Sequence, residues 1–223
     1  MDQHPHVQPF LHADSGTWSY VVHAPAGTSA AIIDPVLDYD AASARTSAAS
    51  AQALVDYVAA HALSVDWLLE THAHADHLSA APLLQARVGG RLAIGAHITE
   101  VQEVFGKIFN AGTRFARDGS QFDQLFADGD RFRIGGLECH DYTAPGRDAF
   151  AWETTIGAQR TGNVHVREGV TEAAFVAMRE AHDATLSMPK LILPSVQVNM
   201  RGGHLPEPED NGVRYLKLPV DAL

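Results

Sequence analysis

The chain has a single cysteine, Cys139, among its 223 residues, which excludes an internal disulfide framework and fits a reducing compartment. Cys139 itself is expected to be a small buried hydrophobe. Basic residues are also scarce: 16 Lys and Arg stand against 27 Asp and Glu, for a formal net charge of −11. No run of Lys or Arg supplies an electrostatic footprint for a phosphate backbone or an anionic lipid surface, so no nucleic acid partner is expected. The start, Met1-Asp2-Gln3-His4-Pro5-His6, lacks a basic segment followed by an apolar stretch. No window approaches the roughly 20 apolar residues of a membrane span. A soluble, cytoplasmic protein is the expectation. Internal repeats and low-complexity segments are absent too, and the length suits one α/β domain with a sizeable core.

What is present is a dense cluster of ligand-type side chains. Residues 71–77 read Thr-His-Ala-His-Ala-Asp-His, three imidazoles and a carboxylate directly after an apolar run that predicts a buried strand over 65–70. Neutral imidazole and carboxylate suit zinc, iron and manganese, and a loop at a strand's end can aim alternate side chains at one point. A solvent-facing polar loop is the alternative for such a cluster, and four ligand-type residues in register argue against it.

The surrounding pattern is β, then ligand loop, then helix, then β. Residues 17–22 and 30–33 cluster β-formers around a Pro25-Ala26-Gly27 turn and predict an antiparallel hairpin ending at Asp34-Pro35. Residues 47–62 predict an amphipathic helix with Leu54, Val55 and Val58 on one stripe. Ser79 is a candidate cap for a helix over 80–88, which Gly89-Gly90 closes before a strand over 92–94. A further helix is expected over 99–109, weakened by Gly106, and Asp128-Gly129-Asp130 forms a turn before a strand over 131–134. Residues 171–181 predict a capped helix with Phe175, Val176 and Ala181 inward, and Pro194, Pro206 and Pro208 punctuate an irregular tail.

With these residues in place, the chain resembles the metallo-β-lactamase superfamily through His72-x-His74-x-Asp76-His77. Within it the likeness is to the persulfide dioxygenases, relatives of glyoxalase II that oxidise glutathione persulfide with a single non-haem iron. Supporting stretches are Ile33-Asp34-Pro35-Val36, Cys139-His140-Asp141-Tyr142 and the tail from Pro194 with Asn199-Met200-Arg201. The resemblance implies an α/β, metallo-β-lactamase-like αββα sandwich over residues 1–205, followed by a C-terminal tail over 206–223. It also implies Fe(II), with Zn as the alternative, and a small thiol or persulfide substrate such as glutathione persulfide, in a possible homo-oligomer.

The sequence departs from the family at one place. Members carry a Gly-His-Thr segment with a second-strand histidine and a Gly-Asp segment with a ligating aspartate, and neither is present. The run Phe132-Arg133-Ile134-Gly135-Gly136-Leu137-Glu138 passes straight into Cys139-His140-Asp141-Tyr142, as if a block of the second half were deleted near 138–139. Of the dioxygenase iron ligands only His72 has a counterpart. His74, Asp76, His77 and His140 are the remaining candidate metal ligands, since the equivalents of Asp76, His77 and His140 hold a second metal in two-metal members. Asp76 is the candidate catalytic residue, and Tyr142 and Arg147 are candidate substrate contacts. The bland alternatives are a strand-end role for His140, a core aromatic for Tyr142 and exposed arginines for Arg147 and Arg160. His4 and His6 are expected in a mobile tail, and His165, His182 and His204 at the surface. Loss of the block would leave apolar surface and unpaired strand edges, so marginal stability or a covering partner is expected. Three functions stand open: an oxygen-dependent persulfide oxidation, a glyoxalase II-like thioester hydrolysis on zinc, and a catalytically inactive protein of this fold.

Overall fold

The computed structural model describes residues 4–140, 156–165, 167–185 and 188–221. It separates into two compact units, Met1–His140 with Pro189–Leu223, and Asp141–Met188. Among the described residues no helix is long and apolar enough to cross a membrane.

In the larger unit the chain runs β1 (His6–His12), β2 (Thr17–His23), β3 (Ser29–Ile33), β4 (Val36–Asp40), β5 (Arg45–Ser47), α1 (Ala49–Ala60) and β6 (Ser64–Leu69). It continues through β7 (Leu78–Ser79), α2 (Ala81–Val88), β8 (Arg91–Gly95), α3 (Ile98–Ile108), β9 (Gln124–Phe126), β10 (Arg131–Ile134) and β11 (Leu137–His140). The smaller unit holds α4 (Ile156–Gly162) and α5 (Glu172–Asp183), and α6 (Ile192–Asn199) belongs to the larger one.

Six strands form the main sheet in the order β1-β2-β3-β6-β8-β9. The first pairings are antiparallel, as the turn at Pro25 predicts, and β3, β6, β8 and β9 are parallel. The parallel strands are the apolar ones: the middle three residues of both β3 and β8 are buried, as expected where a crossover helix covers the sheet. The core joins Val21, Ile32, Leu68 and Ile94 of the sheet to Leu54 and Val58 of α1 and Leu84 of α2. Of the predicted stripe Leu54, Val55 and Val58, the first and last are buried and Val55 is half-buried.

Trp67 lies beside Leu68, so strand alternation sends it to the opposite face. There its ring meets Phe126 at 5.5 Å and Phe132 at 5.7 Å, with the Arg91 guanidinium 4.8 Å from its centroid. The β10–β11 hairpin supplies Phe132, and its backbone accepts the Trp67 indole N–H at Arg133. Among the described residues this hairpin and the small β5-β4-β7 sheet are the only further sheets.

Three expectations need correction. His6 is not part of a loose tail, because it opens β1 opposite His23 with the two rings 5.1 Å apart. Alternation in residues 6–12 is weak, and the partner strand supplies the ordering. The tail after Pro194 is not irregular at its start: Pro194 sits in the first turn of α6, where no intrahelical N–H is demanded of it, and Ser195, Val196, Gln197, Val198 and Asn199 are all buried. In α5 the cap is as expected, with Thr171 Oγ1 accepting the Ala174 N–H at 3.2 Å, but no residue is buried and Val176 is 43% exposed.

Helix α1 is capped from outside its own segment. Asp38 in β4 accepts the Ser50 N–H at 3.0 Å and the Ser50 hydroxyl at 2.6 Å. Burial pulls this carboxyl's pKa up, but the Ser50 donors outweigh it and hold it below the ordinary range. A depressed carboxylate pKa stabilises the fold above the unfolded-state value and ceases to do so as pH falls through it. Replacing Asp38 by Ala should therefore cost about 1 kcal/mol at neutral pH. In urea denaturation the gap between Asp38→Ala and the parent chain should close below about pH 4.

Candidate metal centre

The 71–77 loop begins where β6 ends, at the C-terminal edge of the parallel strands where open α/β sheets hold ligands. Its neighbour there is the end of β3, since Ile33 pairs with Leu69 and the Asp34 N–H donates to Leu69 O at 2.9 Å. Asp34 has φ +49°, a left-handed conformation that Asp tolerates better than most residues. The turn aims its carboxylate into the loop, where Oδ1 accepts the Thr71 N–H at 2.7 Å and Oδ2 accepts the Thr71 hydroxyl at 2.8 Å.

The alanines explain how so polar a loop packs. Ala73 lies against the main core, and Ala75 against a second apolar cluster of Phe109, Val196 and Met200 between α3 and α6. Small side chains at alternate positions let the backbone approach both cores while His74 and His77 turn inward. Helix α6 then satisfies the loop's carbonyls. The Asn199 amide donates to His74 O at 2.9 Å and His77 O at 2.7 Å, and its Oδ1 accepts the Ser79 N–H at 2.8 Å. Gly203, at φ +83°, seats the end of this segment on α2, because a Cβ there would stand 2.6 Å from Pro82 Cδ.

Four of the predicted residues are brought together. The His72 and His74 rings are 4.0 Å apart and those of His74 and His77 4.2 Å. His72 is exposed, with Nδ1 3.0 Å from the Thr71 hydroxyl. His74 and His77 are buried. Asp76 accepts the Thr17 hydroxyl at 2.5 Å and faces both inner histidines on one side, at 3.6 Å from His74 Nδ1 and 3.4 Å from His77 Nδ1. The Nε2 atoms of His74 and His77 thus point away from Asp76.

Behind them stands Glu70, a residue the sequence reading passed over. It is buried and accepts the Ser79 hydroxyl, while that same hydroxyl accepts the Ala81 N–H at 3.0 Å as α2 begins. The expected capping role of Ser79 is thus present, shared with Glu70. Its placement directly before Thr71 was the available signal. Asn199 and Asp34 lay in stretches that drew attention, though without a role, and Thr17 carried no local signal at all.

His140 closes β11 opposite Arg131; its side chain, together with Tyr142 and Arg147, lies outside the described residues. Arg160 pairs with Glu168 at 3.0 Å, both exposed, which is the bland alternative for that residue.

Electrostatically the centre is tightly coupled. Burial opposes a charge on His74, but Asp34, Asp76 and Glu70 outweigh it and hold the metal-free imidazole raised to about 10. Glu70 is pushed up to about 8, first by burial and then by Asp34. Burial also raises Asp76, yet His74, His77 and Thr17 more than reverse it and leave the carboxyl well below its ordinary range. His77 is lowered, chiefly by burial, and His72, though its outer edge is exposed, is lowered by partial desolvation of its ring against the loop and then by the neighbouring His74. The His74 Nε2 lies 2.9 Å from Asp34 Oδ1, but not along its N–H direction, so it lacks an aligned acceptor.

A model of the metallo-beta-lactamase superfamily matches residues 13–157. The chain belongs to the metallo-β-lactamase superfamily. It is 44% identical to a probable metallo-hydrolase of Burkholderia pseudomallei over 293 aligned residues, spanning 97% of this chain and 99% of the relative. It is 32% identical to Glyoxylase B2 of Dictyostelium discoideum over 285 residues, 97% of each. Both alignments exceed the 223 residues of this chain, so each relative carries positions with no counterpart in it, which is compatible with an internal deletion. In fold it is similar to ETHE1 from Myxococcus xanthus, at TM-score 0.62 and 19% identity over 89% of this chain and 100% of that one. The metallo-β-lactamase sandwich expected from the motif is thereby the fold of this chain.

A superfamily member of this kind implies a metal, and side chains suited to holding a cation are gathered at this loop. Glu70, His74 and His77 place one ligand atom each within 4.8 Å of one another. Glu70 Oε2 and His77 Nε2 are buried without a hydrogen-bond partner, while His74 Nε2 lies against the Asp34 carboxylate. Among the described residues no later ligand joins His72.

Asn199 holds two loop carbonyls and one N–H that would otherwise be buried and unpaired. Asn199→Ala should cost roughly 2–4 kcal/mol by urea denaturation, far more than a change at an exposed residue of similar size.

Proposed function

We propose that the chain is a metal-dependent oxidoreductase of the persulfide dioxygenase type, converting glutathione persulfide, oxygen and water to glutathione and sulfite. The observation that carries this reading is the His72–His77 loop, seated at the C-terminal strand edge of a superfamily sandwich with the His74 and His77 imidazoles buried side by side. Bound Fe(II) would supply the site at which persulfide sulfur and oxygen meet. The protein's own work is orientation. Thr17 fixes Asp76, Asp76 faces the Nδ1 atoms of His74 and His77, and Asn199 holds the loop backbone. We assign metal binding to the loop histidines and Asp76 together with His140, and substrate contact to Tyr142 and Arg147. We also retain residues 206–223 as a tail to a single domain.

Two ligands of the family's iron site are absent, so turnover should be slow. A second reading is favoured by the hydrolase and glyoxylase names of the relatives: zinc-activated water attacking a thioester, with Asp76 orienting it.

The test is oxygen uptake with glutathione persulfide by anaerobically purified, iron-loaded chain, run beside thioester cleavage by the zinc-loaded chain. Slow, iron-dependent oxygen uptake with sulfite release is expected. Thioester cleavage without oxygen uptake would establish the hydrolase instead, and neither activity would identify an inactive member of the fold.

A further inference from the structure

From the hairpin that opens the main sheet we infer a role for two side chains that the site itself does not use: His12 and Ser15 are positioning residues for Asp76, joined to it through Thr17 in a one-way chain of hydrogen bonds. The inference rests on the 71–77 loop being a metal centre, and on neither of the two reactions weighed above.

Local structure assembles the chain. His12 and Thr17 are the last paired residues of β1 and β2, and residues 13–16 close the hairpin between them. Gly16 stands at φ +71° and its N–H donates to His12 O at 2.9 Å, a left-handed conformation that glycine adopts without strain. The turn sets the Ser15 hydroxyl between two neighbours, 2.7 Å from His12 Nδ1 and 2.7 Å from Thr17 Oγ1. Thr17, buried, then reaches Asp76 Oδ2 at 2.5 Å from 59 residues away in sequence.

Counting protons fixes the direction. An ionised carboxylate only accepts, so the Thr17 proton lies toward Asp76. A hydroxyl has one proton to give, so the proton between Ser15 and Thr17 comes from Ser15. The remaining contact, between Ser15 Oγ and the ring, must then be supplied by His12 Nδ1–H. Were Nδ1 bare, its lone pair and that of the Ser15 oxygen would meet at 2.7 Å with no proton between them. The Ser15 N–H also faces Nδ1, at 3.3 Å, and this longer contact is the one the count leaves without an acceptor. Donors arranged head to tail in this way polarise and strengthen one another.

Both ends of the chain are anchored. His12 Nε2 faces Asp38 Oδ1 at 3.5 Å, and Asp38 is itself held by Ser50 at the start of α1. At the inner end the Asp76 side chain is 42% exposed, so packing alone does not fix its rotamer. Its oxygens face His74 Nδ1 at 3.6 Å and His77 Nδ1 at 3.4 Å, so a shift of Asp76 reaches both inner imidazoles. Outer partners of metal-site side chains carry roughly ten- to a hundredfold in metal affinity. Thr17 is such a partner, and Ser15, one hydrogen bond further out, carries a smaller share.

The experiment has two arms on the full chain. Nitrogen NMR of the imidazole rings, at neutral pH and without metal, reads which His12 nitrogen holds a proton. A protonated Nδ1 is expected, and a bare one overturns the chain. Titration with Co(II) reads the centre: Thr17→Val should bind about tenfold more weakly and Ser15→Ala about threefold. Ser15→Thr, which returns the hydroxyl, should recover the parent affinity, and Asp14→Ala on the same turn should match the parent. Undiminished binding by Ser15→Ala overturns the proposal, as does Ser15→Thr binding no better than Ser15→Ala, because the turn and not the hydroxyl would then be responsible. Should circular dichroism show Ser15→Ala unfolded, the Nδ1 proton of the parent decides. A parent that takes up no Co(II) overturns the metal centre and this role together. Neither arm needs turnover, so Ser15-dependent Co(II) binding without oxygen uptake sinks the dioxygenase reading and leaves the chain standing. Oxygen uptake by the parent with unchanged Co(II) binding in Ser15→Ala does the reverse.

Discussion

One side-chain amide holds the centre of this molecule together. A loop that turns two histidines inward must bury its own backbone as well, and buried carbonyls without partners are costly. Asn199 answers for two of them, at His74 and His77, and accepts the Ser79 N–H with its remaining oxygen. Because Asn199 ends α6, the loop's geometry depends on a helix more than a hundred residues away in sequence. That helix in turn is seated by Val196 and Met200 against Phe109 and Ala75. Packing of the last ordered helix, placement of the imidazoles and the start of α2 at Ser79 are thus one mechanical unit.

Charge is arranged around the same loop. Burial opposes a charge on Asp34, but His74 beside it and the two Thr71 donors outweigh that and hold the carboxyl below its ordinary range. Glu70, deeper and next to that negative charge, is pushed the other way. Two carboxyl groups in one pocket with opposite shifts leave the pocket able to adjust its charge when a cation enters, by releasing protons as metal sites do.

The far face of the sheet tells a different story. Trp67, Phe126 and Phe132 stack there, only half-buried, where a sandwich normally presses a second sheet across the first at about 10 Å. Among the described residues of the larger unit a two-stranded hairpin does this work. The longer relatives, aligned over more positions than this chain possesses, carry additional residues.

Local signals were enough for much of this architecture. Apolar runs at 30–33 and 92–94, the stripe Leu54 and Val58, the Gly89-Gly90 stop and the Asp128-Gly129-Asp130 turn each depend on a few neighbouring residues, and each appears where expected. The metal-binding character of 71–77 was equally legible, since ligand chemistry belongs to residue type and spacing. Beyond that reach lay β1, whose order comes from pairing with β2, and α6, which Pro194 disguised as a break. Glu70, Thr17 and Asn199 entered the centre only through contacts across 9, 59 and more than 120 residues. The sequence by itself determined which donors exist and on which loop they ride. Tertiary structure alone decided what surrounds each histidine, because that depends on where Thr17, Asp34 and Asn199 arrive from distant parts of the chain.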